Sequence, residues 1–165
     1  MLHPAKLSIE DLLADCREAR TRGSGPGGQH RNKVETAIVL THLPTQVAGS
    51  ASERRSQKEN RRVAVQRLRI NLALAVRSSA NNELFSLWKK YIVAEKVKIS
   101  CDNEEFPALL ADALDLVSAA EGDLVCVAES LKITATQLVK FLRLEPAAWL
   151  VVASLREKNG LRKLK

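Results

Sequence analysis

Four glycines and a proline stand within six residues at Gly23-Ser24-Gly25-Pro26-Gly27-Gly28, a density that neither helix nor strand accommodates. This stretch must be a loop, and whatever flanks it must deliver the chain to that loop and receive it again. The glycine pair runs into Gln29, and it frees the backbone for conformations that Cβ-bearing residues resist. Main-chain N–H groups can then approach a reacting centre closely. An acyl-transfer transition state needs donors aimed at its developing oxyanion, and backbone amides serve without titrating. Glutamine is a poor general base, so its side chain is suited to positioning groups or filling space. The tripeptide by itself equally fits a plain flexible turn.

The flanks read as an α+β unit. Ser8 and Asp11 resemble a capping box opening a short helix over residues 9–13. Residues 15–22 have no helical stripe and read as a short edge strand, and residues 32–35 as one helical turn. Residues 37–43 are β-branched and apolar, a strand that Pro44 ends, with residues 46–51 as its hairpin partner. Residues 53–77 form a long helix whose stripe of Ala64, Leu68, Leu72 and Ala75 covers the sheet. Its other faces carry Arg54, Arg55, Lys58, Arg61, Arg62, Arg67, Arg69 and Arg77 against Glu53 and Glu59. This first unit, residues 1–78, reads as a small α+β sandwich. A polar break at Ser78-Ser79-Ala80-Asn81-Asn82 reads as a hinge into an all-helical extension, residues 79–165. There, residues 84–91, 105–119, 124–131, 136–142 and 147–157 are expected helices, and residues 93–100 are extended. Gly122, the Ile133-Thr134 turn and Pro146 punctuate them, with Phe141 and Trp149 as the expected core.

Charge separates the halves. The 165 residues hold 26 Lys and Arg against 19 Asp and Glu, net +7, and residues 1–80 account for all of the excess with fourteen basic and seven acidic side chains. The first half is therefore the polyanion-binding candidate. The longest apolar run, residues 147–153, is far too short to cross a bilayer, and the opening residues carry no targeting pattern, so a cytoplasmic chain without a membrane partner is expected. Cys16, Cys101 and Cys126 are widely spaced and odd in number, and read as reduced small hydrophobes. His3, His30 and His42 are isolated, so neither a metal nor another cofactor is expected.

The residues around the loop go further. Arg22-x-x-Gly25-x-Gly27-Gly28-Gln29-His30-x-Asn32-x-x-x-Thr36-Ala37-Ile38 resembles the signature of the class I peptide-chain release factors. Thr41-His42-Leu43-Pro44-Thr45 and Arg55-Ser56-Gln57-x-x-Asn60-Arg61 follow in that family's order and spacing, so the resemblance covers residues 15–77. It implies a β-α-β-β-α catalytic domain that enters the peptidyl transferase centre of the large ribosomal subunit, formed by 23S-type ribosomal RNA. There it hydrolyses the ester of peptidyl-tRNA. By position, Gly27 and Gly28 would shape the turn, and the Gln29 N–H would stabilise the oxyanion and leaving group. The Gln29 side chain would admit water and exclude larger nucleophiles, and it is the family's N5-methylation site for a glutamine methyltransferase. Proton shuttling would fall to tRNA and ribosomal RNA. Arg22, His30, Arg31, Asn32, Lys33, Arg54, Arg55, Lys58, Arg61 and Arg62 are the RNA-contact candidates; the alternative for the helix residues is a merely solvated face. Ser56, Gln57 and Asn60 either contact RNA or cap the helix. His42 and Pro44 read as structural. Three positions depart from the family pattern: Gly23, Arg31 beside the tip, and Gln46 where a turn glycine is usual.

With about fourteen residues ahead of the first strand, the resemblance points to the short, codon-independent members that rescue stalled ribosomes or act on split large subunits. Some of these lodge a basic tail in an empty mRNA channel. Residues 156–165 are a modest version, with five positive charges and one negative. Residues 127–142 have a helix-turn-helix cadence, yet residues 101–145 hold nine acidic and three basic side chains, so no duplex DNA partner is expected. A bundle docking on the catalytic domain or on a protein partner fits that charge better. The alternatives are a catalytic subunit that needs a partner for recognition, and a ribosome- or RNA-binding paralogue without turnover.

Overall fold

A six-residue helix in the first unit has its start capped. In α1 (Ile9–Ala14) the Ser8 Oγ accepts the Asp11 N–H at 3.1 Å, the cap that the Ser8 and Asp11 pattern predicts, while the Asp11 carboxylate accepts the Ser8 hydroxyl at 2.7 Å and not the Ser8 N–H of a full capping box. Just ahead of it His3 is buried, its Nδ1 accepting the Ala5 N–H at 3.1 Å. This computed structural model describes residues 2–21, 36–78 and 84–162, and the chain divides into two compact units, Leu2–Ala75 and Val76–Lys165.

The sheet of the first unit is antiparallel, with β1 (Cys16–Thr21), β2 (Ala37–His42) and β3 (Ala48–Ala51) in that order. Strand β1 is the predicted edge, exposed along nearly its whole length, and its Arg, Glu and Thr side chains suit an edge that must not pair further. The central β2 is apolar and mostly buried. Its end is tied by His42, buried, whose Nδ1 lies 2.8 Å from the Thr45 hydroxyl. Gln46 then takes a left-handed φ of 58°, the conformation for which a glycine is the usual occupant. The return strand consequently starts at Ala48, not at residue 46.

Helix α2 (Gln57–Ala75) lies over β2 and β3. It begins four residues later than the expected 53–77 because residues 53–55 are drawn into a bend. There the Arg54 N–H and carbonyl are both held by the Asn60 side chain, and Ser56 receives the first helical N–H groups, from Asn60 on its carbonyl and from Glu59 on its Oγ. Two adjacent i+4 rows are buried: Asn60, Ala64, Leu68 and Leu72, and Val65, Arg69 and Ala73. Ala75, expected in the stripe, is exposed, because the second row turns the contact face towards Ala73. Arg69 is a larger correction. It does not lie on the solvated face but is 7% exposed, with Nε and Nη2 donating to the Ala5 carbonyl at 3.1 and 2.9 Å. Gly49 sets how closely strand and helix approach: a Cβ there would stand 2.6 Å from the Ala64 carbonyl oxygen.

In the second unit the described helices are α3 (Leu84–Tyr91), α4 (Phe106–Ala119), α5 (Leu124–Ser130), α6 (Ala135–Leu142) and α7 (Pro146–Lys158). Residues 93–100, expected to be extended, instead contribute to a minimal hairpin of β4 (Ile92–Val93) and β5 (Lys96–Val97). Its turn places Ala94 and Glu95 at φ 49° and 60°, a pairing usually left to glycine and asparagine, so no turn signal marks it in the sequence. Helix α4 is buried almost all round, the behaviour of a helix apolar on every side. Pro146 occupies the first turn of α7, with Glu145 accepting the Ala147 N–H at 3.1 Å, so it starts that helix instead of separating two.

The aromatic core is Phe141, Phe106 and Trp88. Ring centroids of Trp88 and Phe141 are 5.0 Å apart at 63°, and those of Phe106 and Phe141 are 5.5 Å apart. Trp149, expected in this core, is half-buried instead. The inward positions of α7 are Ala148 and Val152, and one residue further round the helix turns the indole away, beneath the Arg143 guanidinium. Cys101 and Cys126 are exposed thiols, not packed hydrophobes, while Cys16 is half-buried. Burial and the neighbouring Asp15 push the Cys16 thiol up. The hinge expected over residues 78–82 falls almost wholly outside the described residues.

Candidate functional site

The loop residues Arg22, Gly27, Gly28, Gln29, His30, Arg31, Asn32 and Lys33, with the helical turn expected over residues 32–35, lie outside the described residues. The frame that carries them is described. The chain leaves β1 at Thr21 and re-enters β2 at Ala37, and these two residues are register partners. Both ends of the intervening segment are therefore held at one rung of an antiparallel ladder.

A second tie meets that rung from α2. The Asn60 amide, fully buried, donates from Nδ2 to the Thr36 carbonyl at 2.7 Å and to the Arg54 carbonyl at 2.8 Å, while its Oδ1 accepts the Arg54 N–H at 2.9 Å. Both N–H donors and the carbonyl of one side chain are used. Asn60 thus joins the return of the loop segment to the bend before α2. Of the two roles open to it from sequence, the structure assigns neither an exposed RNA contact nor a simple cap. A signal was available: Asn60 lies four residues before Ala64 on the stripe itself, and a polar residue on a buried row needs internal partners.

Arg54, Arg55, Lys58, Arg61 and Arg62 are all exposed and gather at the bend and first turns of α2. Arg61 Nε donates to Glu18 Oε2 at 2.8 Å, and Arg20 stands 3.6 Å from the same carboxylate's other oxygen. This brings β1 and α2 together by a charge pair beside the loop frame. Among the described residues, Arg54, Arg55 and Lys58 have no carboxylate in ion-pair contact. Further along, Arg67 Nη1 donates to Glu53 at 2.6 Å and to the Ser50 carbonyl at 2.8 Å. The Arg67 hydrogen bond holds the Glu53 carboxyl below its ordinary value. The arrangement offers a positively charged ledge of side chains that reach phosphate in water. Among the described residues no group of three or more His, Cys, Asp or Glu side chains could hold a metal ion, and no helix is long and apolar enough to cross a membrane.

In the second unit the polar groups mainly serve the fold. Asp115, buried on α4, accepts the Ser78 N–H at 3.1 Å and its hydroxyl at 2.6 Å. Burial lowers the Arg77 guanidinium from its ordinary value, against the opposing pull of Asp115. The Tyr91 hydroxyl donates to Glu105 at 2.5 Å, which raises its phenol, and Lys90 meets the same carboxylate at 3.0 Å.

The profile of a family described as "RF-1 domain" matches residues 6–101, more than half of the chain. The peptide chain release factor 1 of Ureaplasma parvum serovar 3 is 42% identical over 92 residues, 56% of this chain and 23% of that protein. The peptide chain release factor 2 of Variovorax paradoxus strain S110 is 47% identical over 66 residues, 40% of this chain and 18% of that protein. The peptide chain release factor 1 of Acidiphilium cryptum strain JF-5 is 46% identical over 74 residues, 45% of this chain and 21% of that protein. The chain thus spans about a quarter or less of the length of these curated relatives. No solved structure matches it significantly.

Proposed function

The chain belongs to the RF-1 domain family, and from that premise we propose that it hydrolyses the ester of peptidyl-tRNA on the large ribosomal subunit. The observation that carries this reading is the intact Gly25-Pro26-Gly27-Gly28-Gln29 run, set inside the matched span between two strands whose facing ends, Thr21 and Ala37, are register partners. On this reading Gly27 and Gly28 let the backbone approach the reacting ester. The Gln29 N–H donates to the oxyanion and the leaving ribose oxygen, and its side chain leaves room for water but not for a larger nucleophile. A methyl group on the Gln29 amide, added by a glutamine methyltransferase, would restrict that side chain further. Arg22, His30, Arg31, Asn32 and Lys33 contact ribosomal RNA around the tip. Arg54, Arg55, Lys58, Arg61 and Arg62 contact its phosphates from α2. The ribosome and tRNA supply the proton transfers, and the site of action is the cytoplasmic ribosome.

We infer further that these residues act without reading a codon, in rescue of stalled ribosomes. The matched span, residues 6–101, carries the Gly-Gly-Gln loop, and the residues after it belong to a helical unit. We assign residues 1–78 to hydrolysis and residues 79–165 to an extension with a basic tail, although the matched span continues to residue 101.

The test is peptide release from purified ribosomes holding labelled peptidyl-tRNA, with an empty A-site channel, a sense codon or a stop codon. Release that ignores the codon, and falls by about a hundredfold or more in Gly28→Ala as when a backbone oxyanion donor is displaced, is the expected result. Ribosome binding without release from any complex would sink the stand-alone hydrolase. It would leave a catalytic subunit awaiting its partner, or a binding-only relative.

A further inference from the structure

Nine acidic side chains against three basic ones over residues 101–145 argue against a polyanion partner for the second unit. That average is not spread evenly over the surface of the unit. Asp112 and Asp115 are buried in α4. Asp123 accepts the Val125 and Cys126 N–H groups at 2.9 and 3.2 Å at the start of α5, and Glu145 does the same for Ala147 at 3.1 Å on α7. Glu105 receives Lys90 and the Tyr91 hydroxyl. Five of the nine carboxylates are thus committed to internal structure.

The three cations are all exposed, Lys140 and Arg143 on the outer side of α6 and Lys132 in the turn ahead of it. Helix α5 hands over to α6 through a tight turn in which Lys132 takes a φ of 55° and Thr134 accepts the Gln137 N–H at 3.3 Å. Leu138, Phe141 and Leu142 point α6 into the core. Thr136, Lys140 and Arg143, separated by four and three residues, share the opposite face and are exposed, as is Lys132. Residues 130–144 contain no carboxylate at all. Arg143 is held with its guanidinium 4.6 Å above the Trp149 ring centroid, a stacking that fixes the planar group before it meets an anion.

We propose that this outer face of α6 binds RNA through its phosphates, without reading sequence, as a contact separate from the α2 ledge. Helix-turn-helix readers place base-contacting side chains at the N-terminal end of their second helix. Here that end carries Ala135, Thr136 and Gln137, while the cations stand in the turn and at the far end, where backbone contacts are made. Eight residues make α6 about 12 Å long. The deep, narrow major groove of A-form RNA admits no helix, but phosphate contact from outside needs no groove entry. The choice of RNA over DNA rests on the ribosomal reading proposed above.

The experiment uses the full chain and a fluorescein-labelled 20-base-pair RNA duplex, followed by anisotropy across a series of KCl concentrations, with DNA of the same sequence alongside. Lys132→Gln/Lys140→Gln/Arg143→Gln is expected to weaken RNA binding about tenfold and to flatten the slope of log affinity against log salt by about two to three. The loss should recur when Arg54, Arg55 and Lys58 are already glutamine. Thr136→Lys adds a cation to the same face and should tighten binding with a steeper slope, a gain that misfolding cannot produce. Wild-type affinity and slope in both the triple variant and Thr136→Lys would overturn the proposal, as would DNA bound more tightly than RNA with the same loss in the variant. Neither readout uses ribosomes or peptide release, so a chain inactive in hydrolysis would still decide this question, and an inert α6 would leave the hydrolysis reading standing.

Discussion

In the unit Leu2–Ala75 the interior is threaded with polar ties: Asn60 reaches Thr36 and Arg54, and Arg69 reaches Ala5 across 64 residues of sequence. In Val76–Lys165, apart from Asp112 and the Asp115 that holds Ser78, the interior is an aromatic and aliphatic cluster around Trp88, Phe106 and Phe141, with Leu109, Leu110 and Leu114 fully or almost fully buried on α4. The first kind of interior fixes position. Each buried amide or guanidinium must find its partner in one geometry, or a desolvated group is left unpaired. The second kind fixes compactness and tolerates repacking. The unit that holds the loop frame is the one built by exact pairing, and substitutions should separate the two designs.

The largest effect belongs to the second unit. Trp88→Ala removes the biggest fully buried side chain and both its packing and its edge contact with Phe141, an expected loss of about 3–5 kcal/mol. Hydrogen exchange read by mass spectrometry should lose protection chiefly over residues 84–162. Equal loss over residues 2–78 would break the comparison, because the two interiors would then melt as one.

Gly49→Ala comes next, and it acts on the first unit alone. The added Cβ meets the Ala64 carbonyl oxygen and the Leu68 backbone, and neither is a side-chain end that can swing aside. Overpacking of this kind costs about 1–3 kcal/mol, here at the upper end, seen as a lower urea midpoint at unchanged m-value. A neutral outcome would mean that α2 is not pinned to β3 at this point.

Asn60 sharpens the contrast further, since its role is positional. Asn60→Ala leaves the Thr36 and Arg54 carbonyls and the Arg54 N–H without their partner, about 2 kcal/mol for buried groups. Asn60→Asp keeps the acceptor for Arg54 N–H but loses both donations. If the amide holds the loop frame, peptide release in both variants should drop in kcat more than in KM. A change confined to stability would make Asn60 an ordinary tie.

Such ties also mark the limit of what the sequence discloses. Strands β1 and β2, the Ser8 cap and the Ala64, Leu68 and Leu72 stripe were legible, because edge polarity, β-branching and four-residue spacing each have one local cause. Arg69 was not, because an arginine on a basic helix looks solvated until the Ala5 carbonyl is brought beside it. Trp149 lies outside the core expected for it for a related reason: composition marks an aromatic as apolar, but only the rotation set by Ala148 and Val152 decides which way α7 turns its ring. The charge of α6 was hidden by averaging over carboxylates that the fold had already employed. The loop itself is legible through its glycines and its family pattern, and its frame only through the pairing of Thr21 with Ala37.

The smallest effect tests whether surface pairs belong to either design. Glu53 and Arg67 are each about half exposed, so solvent screens them and the pair is expected to contribute about 0.3 kcal/mol. The sign with pH follows from the depressed Glu53 carboxyl. The contribution is fully present above the ordinary glutamate value of 4.5 and is lost as pH falls through the lower folded value. Arg67→Gln should therefore lower the urea midpoint at pH 7 and converge on the wild type in acid, with the gap also narrowing at 1 M salt. Arg67 also donates to the Ser50 carbonyl, and that bond does not titrate. A gap that persists unchanged in acid would assign the effect to the Ser50 contact, and would place Arg67 with Asn60 and Arg69 among the side chains that lock this unit through its backbone.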